Sequence, residues 1–238
     1  MFGLPTPTPL DLRFSLFGVP VWISAWHWLG AAFFGWQFVP EAFAQAGGGT
    51  FVSHLIVTIL CIFLSILLHE MGHALMARAF GMQWSIVLLT FGGLAYGQRP
   101  PRIRWWQDVL VALAGPFIQL LLALALMVGL AAVPVFLDGG IDSALALTAL
   151  NTLLFVNVAW PILNLLPIYP LDGGQVLRAV LGRTLRRGAE LWTVRVGFFV
   201  AVMVGAFLYV RFHALFAAVL FGFLAMQNFQ AMQASRGR

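Results

Sequence analysis

Two histidines four residues apart, with a glutamate beside the first, could hold one metal ion and activate a water on it. They are His69, Glu70 and His73, in the run His69-Glu70-Met71-Gly72-His73. Positions i and i+4 share a helix face, so both imidazoles can reach the same ion. Glu70 is turned from His69 by about 100° at ~3.6 residues per turn, close enough to take a proton from that water without being a ligand. This is the H-E-x-x-H arrangement of zinc hydrolases, and the chemistry it points to is metal-assisted hydrolysis. The run lies within one of the most apolar stretches of the chain. Ionisable groups there are costly and mark function, facing a cavity or a partner.

A catalytic zinc normally has three protein ligands and one open position, so a third ligand must come from elsewhere. His54 is on the same helix but roughly 22 Å away at 1.5 Å per residue, too far to join the pair. His27 and His213 lie near other segments, lack metal spacing and read as interfacial or hydrogen-bonded side chains. Asp138 and Asp142 belong on the opposite side of the membrane. Asp172 remains, in Asn164-Leu165-Leu166-Pro167-Ile168-Tyr169-Pro170-Leu171-Asp172-Gly173-Gly174. Pro167 and Pro170 break a helix and Gly173-Gly174 permits a tight turn, a combination that can aim a carboxylate into a cavity at membrane depth. The alternative for Asp172 is an N-cap on a helix over Gln175–Leu181.

The elements that must position these groups are membrane helices. The chain has 238 residues, 61% hydrophobic and only 9% charged, against roughly 25% charged in soluble domains. The expected fold is an all-α polytopic membrane protein forming a single domain over 1–238, with about six spans and a small re-entrant β-hairpin element. The spans are expected at Ala25–Val39, Phe51–Phe80, Trp105–Val133, Ala144–Leu166, Leu191–Val210 and Ala214–Ala231. Leu12–Ser24 reads as a short extended hairpin at the membrane surface. Trp84–Gly97, apolar but too short to cross as a helix, reads as a re-entrant hairpin around Phe91, Gly92 and Gly93 that could offer a strand edge to an extended peptide. Gly47-Gly48-Gly49 is a loop tip. The N-terminus shows neither the charged nor the apolar region of a cleaved signal peptide.

All thirteen basic residues are arginine and the formal charge is +5. They sit between apolar runs rather than along one polar face, which excludes nucleic acid as the expected partner and makes them orientation signals. With both termini cytoplasmic, every arginine except Arg211 falls on or near the inner side, while Glu41, Asp138 and Asp142 fall outside. His73 precedes Arg78 by about 7.5 Å of helix, which sets the histidine pair inside the bilayer near its cytoplasmic face. The expected location is a plasma or inner membrane. Cys61, the single cysteine, rules out a disulfide framework and reads as a small core residue.

With these residues in view, the chain resembles the site-2 protease family of intramembrane zinc metalloproteases. HEMGHALMARAFG resembles that family's metal-binding helix, and NLLPIYPLDGG its second signature, in which the aspartate completes the zinc site. Ala114-Gly115-Pro116 resembles a further element, although the family often has asparagine four residues after the glycine, where this chain has Gln119. The resemblance covers roughly Phe17–Gly182. It implies one Zn2+ per chain on His69, His73 and Asp172, Glu70 as general base, and Asn164 assisting the substrate or the oxyanion, with an interhelical hydrogen bond as the other role for Asn164. It implies cleavage of a single-span membrane protein in or beside the bilayer. Gly81–Arg104 and Pro134–Ser143 are too short for the PDZ domain that many members insert, and only a few residues follow the sixth span, too few for an appended CBS module. Regulation is therefore expected from a membrane partner or from the substrate. Two other readings stay open: a membrane zinc transporter, which needs ligands across the whole bilayer, and an inactive scaffold, which has no need of costly groups in lipid.

Overall fold

A computed structural model describes residues 6–46, 50–90, 92–98, 100, 103–136, 144–185 and 188–236. Phe91, Asp138, Asp142 and the Gly47-Gly48-Gly49 tip lie outside the described residues. Among those described are four strands and seven helices. They divide into two compact units, one of 1–100 with 114–161 and one of 101–113 with 162–238.

The first unit is organised around the helix α2, Phe51–Ala79, which carries the histidines. Thr50 starts it with a capping box: its hydroxyl accepts from the Ser53 amide, and the Ser53 hydroxyl accepts from the Thr50 amide. Two orphan donors are thereby satisfied at once. At the other end Gly81 takes φ +79°, and the amides of Gly81 and Met82 donate to Arg78 and Ala77. A left-handed glycine here ends the helix without steric cost. The chain then enters β3, Gln83–Leu89, immediately, and β4, Gly92–Gln98, returns antiparallel to it. The motif helix and this hairpin are thus joined by a three-residue turn.

The N-terminal hairpin is β1, Leu12–Leu16, with β2, Val19–Ile23. Its turn residues Phe17 and Gly18 have φ of 50° and 74°, the pairing of positive φ angles that suits the twist of a two-residue hairpin. The Arg78 guanidinium donates to the Phe17 carbonyl at 2.6 Å and ties this turn to the end of α2. Val19, Val21 and Ile23 are buried at alternate positions, as a half-buried strand requires. They pack with Ile62, Ile66 and Met71 of α2 and with Ile86 and Leu88 of β3.

Both expected hairpins are present, but they are not separate. β2 pairs parallel with β3, Val21 opposite Ile86, so the two form one sheet ordered β1-β2-β3-β4. The all-α expectation is corrected to that extent: the fold is mostly helical with a four-stranded sheet. Parallel pairing needs a long crossover, here supplied by α1, Ala25–Ala46, and α2. α1 is pressed onto the turn at the tip of β3. Its Gly30 leaves no room for a Cβ against the Thr90 carbonyl, and His27 Nδ1 donates to the Leu89 carbonyl at 2.9 Å.

The remaining helices are α3, Trp105–Phe136; α4, Ala144–Asn164; α5, Asp172–Leu185; α6, Ala189–Phe212; and α7, Leu215–Arg236. Among the described residues five helices, α2, α3, α4, α6 and α7, are long and apolar enough to cross a membrane. α1 is longer than its expected span, but His27, Gln37, Glu41 and Gln45 dilute its apolar character, and it is not among the five. In the second unit α6 packs along α7 around Ala201, Phe221, Leu224 and Ala225, with Ile168 of the α4–α5 loop in the same cluster.

Asp11 locks the start of the fold. Its carboxylate accepts from the Thr8 hydroxyl and amide, from the Trp22 indole and from the amide of Ala25, the first residue of α1. The Thr8 hydroxyl and these other donors hold its pKa well below the usual carboxylate range. A depressed folded pKa adds stability that is complete above the unfolded value of about 3.9 and is lost as pH falls through the folded one. Asp11→Asn is therefore expected to speed hydrogen exchange in β1 at pH 7, with the gap to the wild type narrowing only in strong acid. An equal gap at all pH values would contradict the charge-based account.

Candidate metal centre

On α2, His69 and His73 are both buried, and their Nε2 atoms lie 3.0 Å apart. The buried side chain of Gln119 on α3 decides which His69 nitrogen carries the proton. Gln119 Nε2 donates to the Ser65 carbonyl at 3.0 Å, so its amide oxygen must face His69 Nδ1, 2.8 Å away. An amide oxygen only accepts, hence Nδ1 holds the hydrogen and Nε2 presents its lone pair. Ser65 is anchored in turn, its hydroxyl accepting from Asn157 Nδ2 at 2.8 Å. Gln119 was singled out in the sequence only as a departure from the family pattern. A buried amide in a spanning helix was the available signal; its partner, 50 positions away, was not visible.

The Ala114-Gly115-Pro116 element has a steric explanation. A Cβ at Gly72 would meet the Ala114 carbonyl at 2.7 Å, and one at Gly115 would strike the His73 ring. Small residues let the two helices cross closely and leave His73 the space to turn toward His69. Glu70 packs against β4: a Cβ at Gly93 would lie 2.6 Å from Oε1 of its carboxylate. Gly92, at φ +140°, lies against Trp160. His54 is occupied elsewhere, its Nδ1 2.6 Å from the Thr148 hydroxyl.

Asp172 is buried and is the first residue of α5; Asn164 is the last of α4. The ligand atoms of His69, His73 and Asp172 all lie within 4.8 Å of one another, a group that could hold a metal ion. The donor set fits zinc. Bonds of about 2.0–2.1 Å at tetrahedral angles put two ligand nitrogens roughly 3.3 Å apart, close to the 3.0 Å between the two imidazoles. Replacing Gln119 by Leu frees the His69 tautomer, and loss of such an outer partner lowers metal affinity by about 10–100-fold. Competition with a graded chelator is expected to show that drop in Gln119→Leu with an unchanged helical spectrum. Undiminished affinity would mean that the amide does not orient the ring.

Fold and site together define a multi-pass integral membrane protein in which the two histidines of an H-E-x-x-H helix belong to a buried group that could hold a metal ion. The family model for peptidase family M50 matches residues 57–146 and 140–204, and the chain belongs to that family. It is 31% identical over 128 residues to a zinc metalloprotease of Methanocaldococcus jannaschii, covering 53% of this chain and 35% of that protein. Stage IV sporulation protein FB of Bacillus subtilis is 30% identical over 198 residues, 80% of this chain and 64% of that one. The chain thus spans less than two thirds of either relative. Among solved structures, the site-2 protease from Methanocaldococcus jannaschii shares the fold, with a TM-score of 0.57, 21% identity and coverage of 93% and 95% of the two chains.

Proposed function

We propose that this chain is an intramembrane zinc metalloprotease that cleaves a single-span membrane protein in or beside its transmembrane segment. The observation that carries the reading is the convergence of His69, His73 and Asp172 with an adjoining buried glutamate. Zinc bound there supplies Lewis acidity and a water that ionises near neutral pH. Glu70 takes a proton from the attacking water at its carboxylate and returns it to the leaving nitrogen. Asn164 donates to the substrate or to the negative charge that develops on the scissile carbonyl oxygen.

A helical substrate hides its peptide bonds and must be held extended. β4 is an edge strand of the sheet, so its outer main-chain groups can pair with such a peptide, and its Gly93 adjoins Glu70. Gly92 and Gly93 then lie where the substrate strand enters; Phe91, the third residue of this proposed edge, is outside the described residues. The arginine distribution supports six spans, α1 included, with cytoplasmic termini and a centre near the cytoplasmic face. A regulatory membrane partner fits short loops that leave no room for an inserted domain.

The test is co-reconstitution of the chain with single-span reporter proteins and mass spectrometry of the fragments. Chelator-sensitive cleavage within or near a span is the expected result. Zinc flux into the vesicles without cleavage of any reporter would make the protein a transporter instead.

A further inference from the structure

The loop that delivers Asp172 cannot pair all of its own backbone. Pro167 and Pro170 have no N–H, so the segment Leu166–Leu171 lacks two of its donors. Ile168 donates back to Leu166, and Leu171 donates back to Ile168. Neither bond serves the Tyr169 carbonyl, three residues before Asp172. Its donor comes from the last helix, where Nδ2 of Asn228 on α7 donates to Tyr169 O and also to Leu224 O. Asn228 is 1% exposed, and its Oδ1 has no hydrogen-bond partner among the described residues.

An amide with an unsatisfied oxygen is a poor choice for packing two helices. For packing alone an apolar residue of the same shape would serve as well or better, because a buried acceptor left unpaired is costly. The neighbouring helix also makes room for it. A Cβ at Gly197 on α6 would lie 2.5 Å from Asn228 Oδ1 and 3.2 Å from the Tyr169 nitrogen. Ile168, fully buried in the α6–α7 core, anchors the same loop.

We propose that Asn228 is a positioning residue for Asp172: its amide clamps the Tyr169 carbonyl and so fixes the loop that presents the carboxylate to the metal. The inference rests on the metal reading above, and the experiment separates the two. The chain in nanodiscs is compared with Asn228→Leu, which keeps the branched shape and removes both donors, and with Gly197→Ala, which displaces the amide from α6. Val204→Ala, a cavity in the same core about two turns along α6 from Gly197, is the control for mere destabilisation. Hydrogen exchange is read on peptides covering residues 165–175 of metal-free protein, and zinc release to a chelator is timed on loaded protein.

Both clamp variants are expected to speed loop exchange at least tenfold and zinc release by about tenfold, the lower end for an outer-shell partner. Val204→Ala is expected to change neither. Unchanged exchange in both clamp variants would overturn the proposal, and so would faster exchange with unaltered zinc release. A wild type that binds no zinc would sink the metal reading, while loop exchange would still decide whether Asn228 is the clamp.

Discussion

Glu70→Gln is expected to retain one zinc per chain and to lose cleavage by 10²–10⁴-fold, the usual contribution of a positioned general base. That is about 3–5 kcal/mol of barrier at 1.36 kcal/mol per factor of ten. Glutamine has the shape of glutamate, so contact with the β4 backbone at Gly93 is kept while the proton acceptor is removed. The check is metal analysis and fragment yield on the same preparation. Normal cleavage by Glu70→Gln would refute the mechanism, and loss of zinc would recast Glu70 as a ligand.

Removing a ligand should act on the metal itself. His69→Ala is expected to weaken zinc binding by more than the ~100-fold upper figure for an outer-shell partner. Asp172→Ala alone is ambiguous, because Asp172 opens α5 and a cap would be lost with it. Asp172→Asn resolves this. Asparagine caps a helix as well as aspartate does but offers no charged oxygen to zinc. Zinc content measured after dialysis is expected to fall in His69→Ala, Asp172→Ala and Asp172→Asn alike. Full zinc in Asp172→Asn would make the carboxylate a cap and leave the third ligand to be found.

Several parts of this molecule could be read before any coordinates, because they depend on interactions over a few residues. Apolar run length located α2, α3, α4, α6 and α7 to within a few residues of their ends. Strand-forming residues around Gly18 and Pro20 located the first hairpin, and an apolar segment too short to cross, with Gly92-Gly93 at its centre, located the second. Helical periodicity alone put His69 and His73 on one face. α1 was less legible, since its polar residues are placed by what packs on it, as where His27 meets Leu89.

The chain by itself determined a membrane protein with a helix of metal-ligand spacing and a carboxylate-bearing broken helix. Only the tertiary structure decided how these parts are held. The parallel pairing of β2 with β3 joins the two hairpins across 59 intervening residues, Ser24–Met82. His69 takes its tautomer from Gln119, and the Tyr169 carbonyl takes its donor from Asn228. The physical reason is the same in each case. Periodicity reports which side of an element is buried, whereas the partner of a buried polar group is set by which distant backbone approaches it, and close approach at Gly72, Gly93, Gly115 and Gly197 is a property of the packed helices and sheet rather than of any one segment.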